Sequence, residues 1–112
     1  DNCMVSHAEP LRPYSREELV NGLSNGDVIR GLTWTANGEA MEGSVWALLS
    51  NFVKKERLGD ARYFAGHRPV RGKYALRQNG RFVHFHNPSA QNVALVYTDR
   101  AFDPENHIVS VV

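Results

Sequence analysis

Two histidines separated by one residue, His84 and His86, are the side chains of this sequence best placed for acid–base chemistry. On a β-strand, residues i and i+2 project from the same face, so both imidazoles would point the same way. Such a pair beside cations can cleave RNA, with one imidazole acting as base and the other as acid. It could also ligate zinc if a third ligand such as His107 or Asp99 came near. An ordinary strand without chemistry is the remaining interpretation.

Motifs for cofactors and metals are otherwise weak. The sequence contains neither a P-loop nor a G-x-G-x-x-G pattern, and we expect no cofactor. Its one cysteine, Cys3, excludes an internal disulfide and weakly favours a reducing compartment. Cys3 and His7 have a spacing that could hold a metal ion, but they lie in a segment without clear periodicity. We therefore discount this pair and assign no metal site.

The distribution of charge is the strongest signal of a partner. The net charge is only +1, yet residues 54–82 carry nine basic and two acidic side chains. A compact basic segment of this kind attracts polyanions such as nucleic acid. The alternative is a solubilising face whose charges pair with the acidic first half of the chain. The basic side chains are Lys54, Lys55, Arg57, Arg62, Arg68, Arg71, Lys73, Arg77 and Arg81.

Length and composition indicate one ordinary globular domain. The chain has 112 residues, of which 42% are hydrophobic and 22% charged. No apolar run approaches the roughly 20 residues that a transmembrane helix needs. The opening DNCMVSHAEP has neither the basic nor the apolar region of a signal peptide. We therefore expect a cytoplasmic protein without a membrane partner.

The first half of the chain predicts an N-terminal arm followed by short helices. Residues 1–14 contain two prolines and predict an extended arm. Ser15 and Glu18 form a capping-box pattern, which predicts a helix over residues 16–24. Residues 27–32 are apolar but too short to distinguish helix from strand. Residues 33–43 are poor helix formers because of Asn37-Gly38.

The clearest predicted element is a helix over residues 44–58. Its apolar residues follow the spacing i, i+3, i+4, i+7 and i+8 of one helical face. Ser44 is the expected cap, and Gly59 is a natural residue to follow the last turn. The apolar face consists of Val45, Leu48, Leu49, Phe52 and Val53.

The second half predicts strands. A short strand at 62–64 is followed by a basic loop at 66–72, and Asn79-Gly80 predicts a two-residue hairpin turn. That turn pairs residue 76 with 83, and it places an apolar set on one face and a mainly polar set on the other. Two further strands are expected at 92–98 and 107–112, joined by a turn around Asp103-Pro104. The apolar face comprises Tyr74, Leu76, Val83 and Phe85. The other face comprises Lys73, Ala75, Arg77, Phe82, His84 and His86.

This order of elements resembles a winged helix-turn-helix DNA-binding domain. The resemblance is carried by REELVNGLSNGDVIRG at 16–31, EGSVWALLSNFVKKERLG at 42–59 and RYFAGHRPVRGKYALR at 62–77, about half of the chain. It implies an α+β fold with two or three helices on an antiparallel sheet of three to five strands. The winged-helix-like core would span 15–86, with additional C-terminal strands at 92–112, all in a single domain over 15–112.

The resemblance implies that helix 44–58 reads the major groove of DNA and that residues 66–73 form the wing. We therefore expect a non-enzymatic protein that binds nucleic acid, DNA rather than RNA, as a transcriptional regulator or a phage- or plasmid-type DNA-handling factor. The spacing also places Trp46 on the outward side of the helix, although for this residue we expect a core role rather than contact with bases. The expected contacts are Ser44, Ala47, Ser50, Asn51, Lys54, Lys55, His67, Arg68, Arg71 and Lys73.

Two alternatives belong to other classes. One is a small ribonuclease or toxin that uses His84 and His86. The other is a protein-interaction module or homodimer formed through the apolar C-terminal strands. The nucleic-acid hypothesis depends on one arrangement, in which the cations of 54–82 lie together beside the exposed face of the 44–58 helix.

Overall fold

Residues 2–111 are described by a computed structural model, in which ten helices and strands form an α+β domain. Asp1 and Val112, which belong to the predicted arm and the predicted last strand, lie outside the described residues. The helices are α1 Arg16–Val20, α2 Gly26–Thr33, α3 Ser44–Phe52 and α4 Pro104–His107. The strands are β1 Cys3–Val5, β2 Arg62–Ala65, β3 Ala75–Arg77, β4 Phe82–His84, β5 Asn92–Ala94 and β6 Ile108–Ser110.

The predicted capping box starts the first helix. Ser15 Oγ accepts a hydrogen bond from Glu18 N, and the Glu18 carboxylate accepts one from Ser15 N, both at 3.1 Å. The α-helix ends at Val20, and a single 3-10 turn at Gly22–Ser24 completes the predicted helical span. The apolar stretch whose type was undecided is helical as α2, where Asn25 accepts from Asp27 N.

The third helix begins where predicted but is shorter. It ends at Phe52 rather than 58, because the next position of its apolar face, Glu56, is charged and burial no longer supports the helix. Residues 55–57 instead form a 3-10 turn. Ser44 is not the cap. Gly43 occupies that position with φ 86°, and Gly59 therefore has no capping role for this helix.

The main sheet is mixed, so the prediction of an antiparallel sheet is wrong. Its order is β1-β2-β4-β3, with β1, β2 and β4 parallel and β3 antiparallel to β4. Parallel pairing arises because the chain after β2 crosses to the far side of β4 before it forms β3. The predicted hairpin register is confirmed, since Leu76 lies opposite Val83 and the turn residues Asn79 and Gly80 have positive φ.

Both faces of the sheet are covered. Tyr63 and Phe82 pack with Leu48 and Leu49 of α3 on one side. Phe64 and Val83 pack with the C-terminal segment on the other. The prediction of a mainly polar face on the β3–β4 hairpin is therefore wrong. Both faces of β4 are packed against other segments, and Phe82 and His84 are buried.

The first and last described segments of the chain are built into the domain. The predicted arm contains β1, which pairs with β2, and its residues Ala8, Glu9 and Pro10 are buried. The C-terminal strands β5 and β6 pair with each other as a separate two-stranded sheet. Between them, Asp103-Pro104 begins α4 rather than a simple turn, with Asp103 accepting from Glu105 N.

The described helices are short. The longest, α3, has nine residues, and over residues 2–111 no helix combines the length and apolarity needed to cross a bilayer.

Candidate nucleic-acid interface

One face of α3 is open to solvent. Trp46, Ser50 and Asn51 are exposed, whereas Val45, Leu48 and Leu49 of the opposite face are buried against the sheet. Ala47, between the two faces, is half-buried. The helix therefore presents the outward residues that the apolar spacing predicted.

A guanidinium covers the start of this face. Arg81 Cζ lies 4.2 Å from the centroid of the Trp46 ring, which remains 44% exposed. Arg81 Nη1 also donates to Leu58 O at 2.8 Å, which holds the side chain in place. Cation–π contacts of this kind keep the charge accessible while they order it.

A second guanidinium covers the end of the same helix. Arg16 Cζ lies 4.8 Å from the centroid of the Phe52 ring, and its Nη1 donates to Asn51 O at 3.1 Å. Residues 46 and 52 are separated by roughly 9 Å along a helix axis. Two ordered cations thus lie near the two ends of α3, Arg81 over Trp46 of the exposed face and Arg16 over Phe52 of the apolar face.

Lys54 and Lys55 follow the last turn and are exposed. Within residues 2–111, ion pairs shorter than 4.0 Å join only Arg12 to Glu18, Arg77 to Glu9 and Arg100 to Asp99. Arg16, Lys54, Lys55 and Arg81 therefore have no carboxylate partner there. We call these four cations, together with Trp46, Ser50 and Asn51, the α3 surface.

Two predicted contacts of the helix differ from expectation. Ser44 is fully buried and accepts from Gln78 Nε2 at 2.9 Å, so it is closed to any ligand. Asn51 is exposed, but its amide donates to Tyr14 O at 3.2 Å, which fixes the orientation of the side chain. Gln78, whose Oε1 accepts from Val45 N at 2.9 Å, is the missing cap of α3.

The basic loop lies at the other end of the sheet from Arg81. Residues 66–72 follow the carboxyl end of β2, whereas Arg81 precedes β4, and Tyr63 N at the start of β2 donates to Arg81 O at 2.8 Å. The loop joins β2 to β3, which are not neighbours in the sheet, so it is a crossover and not the tip of a hairpin. The cations of 54–82 are therefore divided between two ends of the sheet, so the prediction that they all lie together beside the helix is wrong.

The loop cations have different surroundings from one another. Arg68 lines a cavity of about 470 Å³ together with Arg12, Arg30, Asp27 and Glu39. Lys73 donates to the backbone carbonyl of Glu105. Arg71 is exposed, and His67, which is half-buried, contacts His7.

His84, the centre of the ribonuclease hypothesis, is only 1% exposed. Its Nδ1 lies 3.0 Å from Arg77 Nη2. Burial first, and the Arg77 charge second, lower the pKa of His84. A substrate cannot reach this imidazole, because β4 is covered on both faces, whereas His86 beyond the strand is half-buried. His84 is therefore not available for the predicted acid–base role with His86.

The predicted metal alternatives also lack geometry. Among residues 2–111, no three His, Cys, Asp or Glu side chains converge on a point that could hold a metal ion. A further sequence pattern, Gly-x-Ser-x-Gly at 22–26, lies in a 3-10 turn where Ser24 Oγ donates to Asn21 O at 2.9 Å. It lacks the preceding strand that positions a nucleophile of this type.

Sequence reasoning missed three contributors to these surfaces. Arg16 and Arg81 belong to the α3 surface through tertiary contacts that no spacing along the chain reveals. His7 was set aside with the presumed arm, although that segment is part of the sheet. The pairing of β1 with β2, which no local sequence pattern shows, places His7 beside the loop after β2.

The chain matches no protein-family model, no curated protein and no solved structure. Function must therefore be argued from the geometry of the chain itself.

Proposed function

We propose that this protein binds nucleic acid without catalysing a reaction, and that the α3 surface is the binding site. Sequence-reading contact with duplex DNA is the preferred mode, as the resemblance to winged helix-turn-helix domains implied. The observation that carries the proposal is that four cations lie beside α3 or directly after its last turn and form no ion pair within residues 2–111.

The dimensions of α3 suit this role. A helix fits the major groove of B-form DNA, which is about 12 Å wide. Arg16 and Arg81, near the two ends of the helix, would then contact phosphates. Ser50 is the polar side chain of the exposed face that can reach base edges, whereas the Asn51 amide already donates to Tyr14 O.

Electrostatics favour a ligand over an empty surface. Unpaired cations close together repel one another, and a polyanion relieves that repulsion while it releases counterions. A solubilising face would pair its cations with the acidic residues of the first half. Among residues 2–111 the only ion pair of this kind is Arg77–Glu9, and it does not involve the α3 surface.

The loop at 66–72 has a lesser part in the proposed complex. The loop is displaced from Arg81 by the length of β2, about 13 Å. Arg71 and Arg68 would add a long-range attraction rather than direct contacts beside α3.

Binding of a fluorescent duplex at several salt concentrations tests this proposal. Four phosphate contacts predict that log K falls with log salt at a slope of about −3 to −4. The double variant Lys54→Ala/Lys55→Ala should weaken binding and make the slope shallower by about 2. The same assay with single-stranded RNA distinguishes the two classes of nucleic acid.

The matched control is Arg68→Ala/Arg71→Ala, which removes the same charge from the loop. We expect it to change the slope much less than the lysine variant does. A slope near zero for the unmodified protein would disprove the proposal. An effect confined to the loop variant would place the binding surface at the cavity instead of α3.

A further inference from the structure

The carboxyl ends of the three parallel strands each carry a histidine two residues later. His7 follows β1, His67 follows β2 and His86 follows β4. Ser6 N donates to Phe64 O at 3.1 Å and Gly66 N donates to His7 O at 3.0 Å, so the β1 and β2 ends remain paired up to the histidines. The carboxyl edge of parallel strands is where α/β proteins place their ligands.

The ring nitrogens of two of these histidines lie close together. His7 Nε2 lies 3.1 Å from His67 Nδ1, and the ring planes are inclined by 54°. Two imidazole nitrogens bound to one tetrahedral zinc ion, each at about 2.0 Å, are about 3.3 Å apart. The observed separation therefore matches a shared ion after a shift of a few tenths of an ångström.

The His67 ring is held in this orientation by its surroundings. Its backbone has φ 71°, a left-handed conformation that His adopts more readily than most side chains. The Trp34 ring packs edge-on against it, with centroids 5.6 Å apart. Its second nitrogen, Nε2, is buried. The ring is therefore packed with its Nδ1 towards His7, as a shared ion requires.

One side of the His7–His67 pair is open. His7 is exposed, so solvent can reach the remaining coordination positions.

We propose that His7 and His67 form a binding site for a zinc-class divalent ion, with two protein ligands and the other positions filled by solvent. Imidazole ligands favour Zn²⁺, Ni²⁺ and Cu²⁺ over Mg²⁺ and Ca²⁺. The ion would join the segment after β1 to the loop after β2 and thereby stabilise the folded chain. This site is separate from the α3 surface and does not depend on the proposed nucleic-acid binding.

Zinc titration of the full chain by calorimetry, with the melting temperature measured in parallel, tests the site. We expect one ion per chain and a rise in melting temperature. His7→Gln and His67→Asn should each weaken binding at least about tenfold. Asparagine is chosen at 67 because it tolerates positive φ. His86→Gln, the equivalent position after β4, and the distant His107→Gln are matched controls that should retain binding.

Several outcomes would overturn the proposal. One is the absence of zinc binding by the unmodified protein, which would mean that the two rings share only a hydrogen bond. Binding that survives either His7→Gln or His67→Asn, or that is weakened equally by a control variant, would also disprove the site. Imidazole NMR signals of the unmodified protein give a reading that does not depend on variant folding, since zinc should shift His7 and His67 alone.

Discussion

At the scale of single residues, His84 illustrates how an apparent catalytic group can serve the interior. Its side chain is buried away from solvent, and its Nδ1 faces Arg77. Arg77 Nε donates in turn to the carboxylate of the buried Glu9 at 2.9 Å. A neutral imidazole fits this chain of contacts, because a charged one would face the Arg77 guanidinium without solvent to screen it. The sequence identified the residue type and strand but could not reveal its burial.

This burial predicts a pH dependence of stability. The pKa of His84 is lower in the folded protein than in the unfolded chain, where it is about 6.5. The unfolded state therefore takes up the proton first, so stability is complete above that pH and decreases as pH falls below it. His67 shifts in the same direction. Glu18, whose pKa is lowered to about 2 by Arg12, stays ionised over this range.

Thermal unfolding between pH 5 and 8, followed by circular dichroism, checks this prediction. The melting temperature should decrease towards pH 5, and the decrease should be smaller in His84→Gln, which cannot take up the proton. An identical pH profile in the variant and the unmodified protein would show that His84 does not cause the dependence.

At the scale of elements, helix α2 contains a glycine that its packing requires, although glycine is a poor helix former. Gly31 is buried in α2, and a Cβ placed there would lie 1.6 Å from the Tyr14 hydroxyl. Tyr14 is itself 1% exposed and has little room to move. The close approach of Tyr14, in the segment before α1, therefore requires glycine at position 31, although alanine is the better helix former by about 1 kcal/mol.

We predict that Gly31→Ala destabilises the protein by about 1–3 kcal/mol through overpacking. Gly26→Ala, at the open start of the same helix, is the matched control because nothing lies within 4 Å of its added Cβ. Urea unfolding measures both free energies. A Gly31→Ala protein as stable as the Gly26→Ala protein would contradict the proposed contact with Tyr14.

The third helix shows which part of an element can be predicted. The apolar spacing located its start and the buried residues Val45, Leu48 and Leu49, but Phe52, predicted for the same face, is 37% exposed. Its cap could not be anticipated, because Gln78 reaches Val45 N across 33 residues of sequence. Its end was overestimated, since basic residues after Val53 suit a helix dipole but bury nothing.

At the scale of the whole molecule, the C-terminal strands form a small sheet of their own. Val93 lies opposite Val109 in the β5–β6 pair, and both are partly exposed on its outer side. By strand alternation Leu95 and Val111, which are also exposed, project to the same side. The face is uncharged, so a second copy related by a two-fold axis could cover it.

The predicted homodimer can be tested by sedimentation at micromolar concentrations. Val109→Lys places a charge in the centre of this face and should shift the protein towards monomer. Val5→Lys, at an exposed position of the edge strand β1, is the control that should leave the association unchanged. A monomeric unmodified protein would exclude the dimer at these concentrations.

The sequence by itself determined the local features: the Ser15 capping box, the buried face of α3 and the register set by Asn79-Gly80. Each of these depends on residues that are close along the chain, where turn chemistry and periodicity act directly. Only the tertiary structure decided that β1 lies beside β2 and that β4 is an inner strand. Those choices bury His84 and bring His7 to His67 across 60 residues. They depend on which distant surfaces bury one another, and no local pattern encodes that pairing.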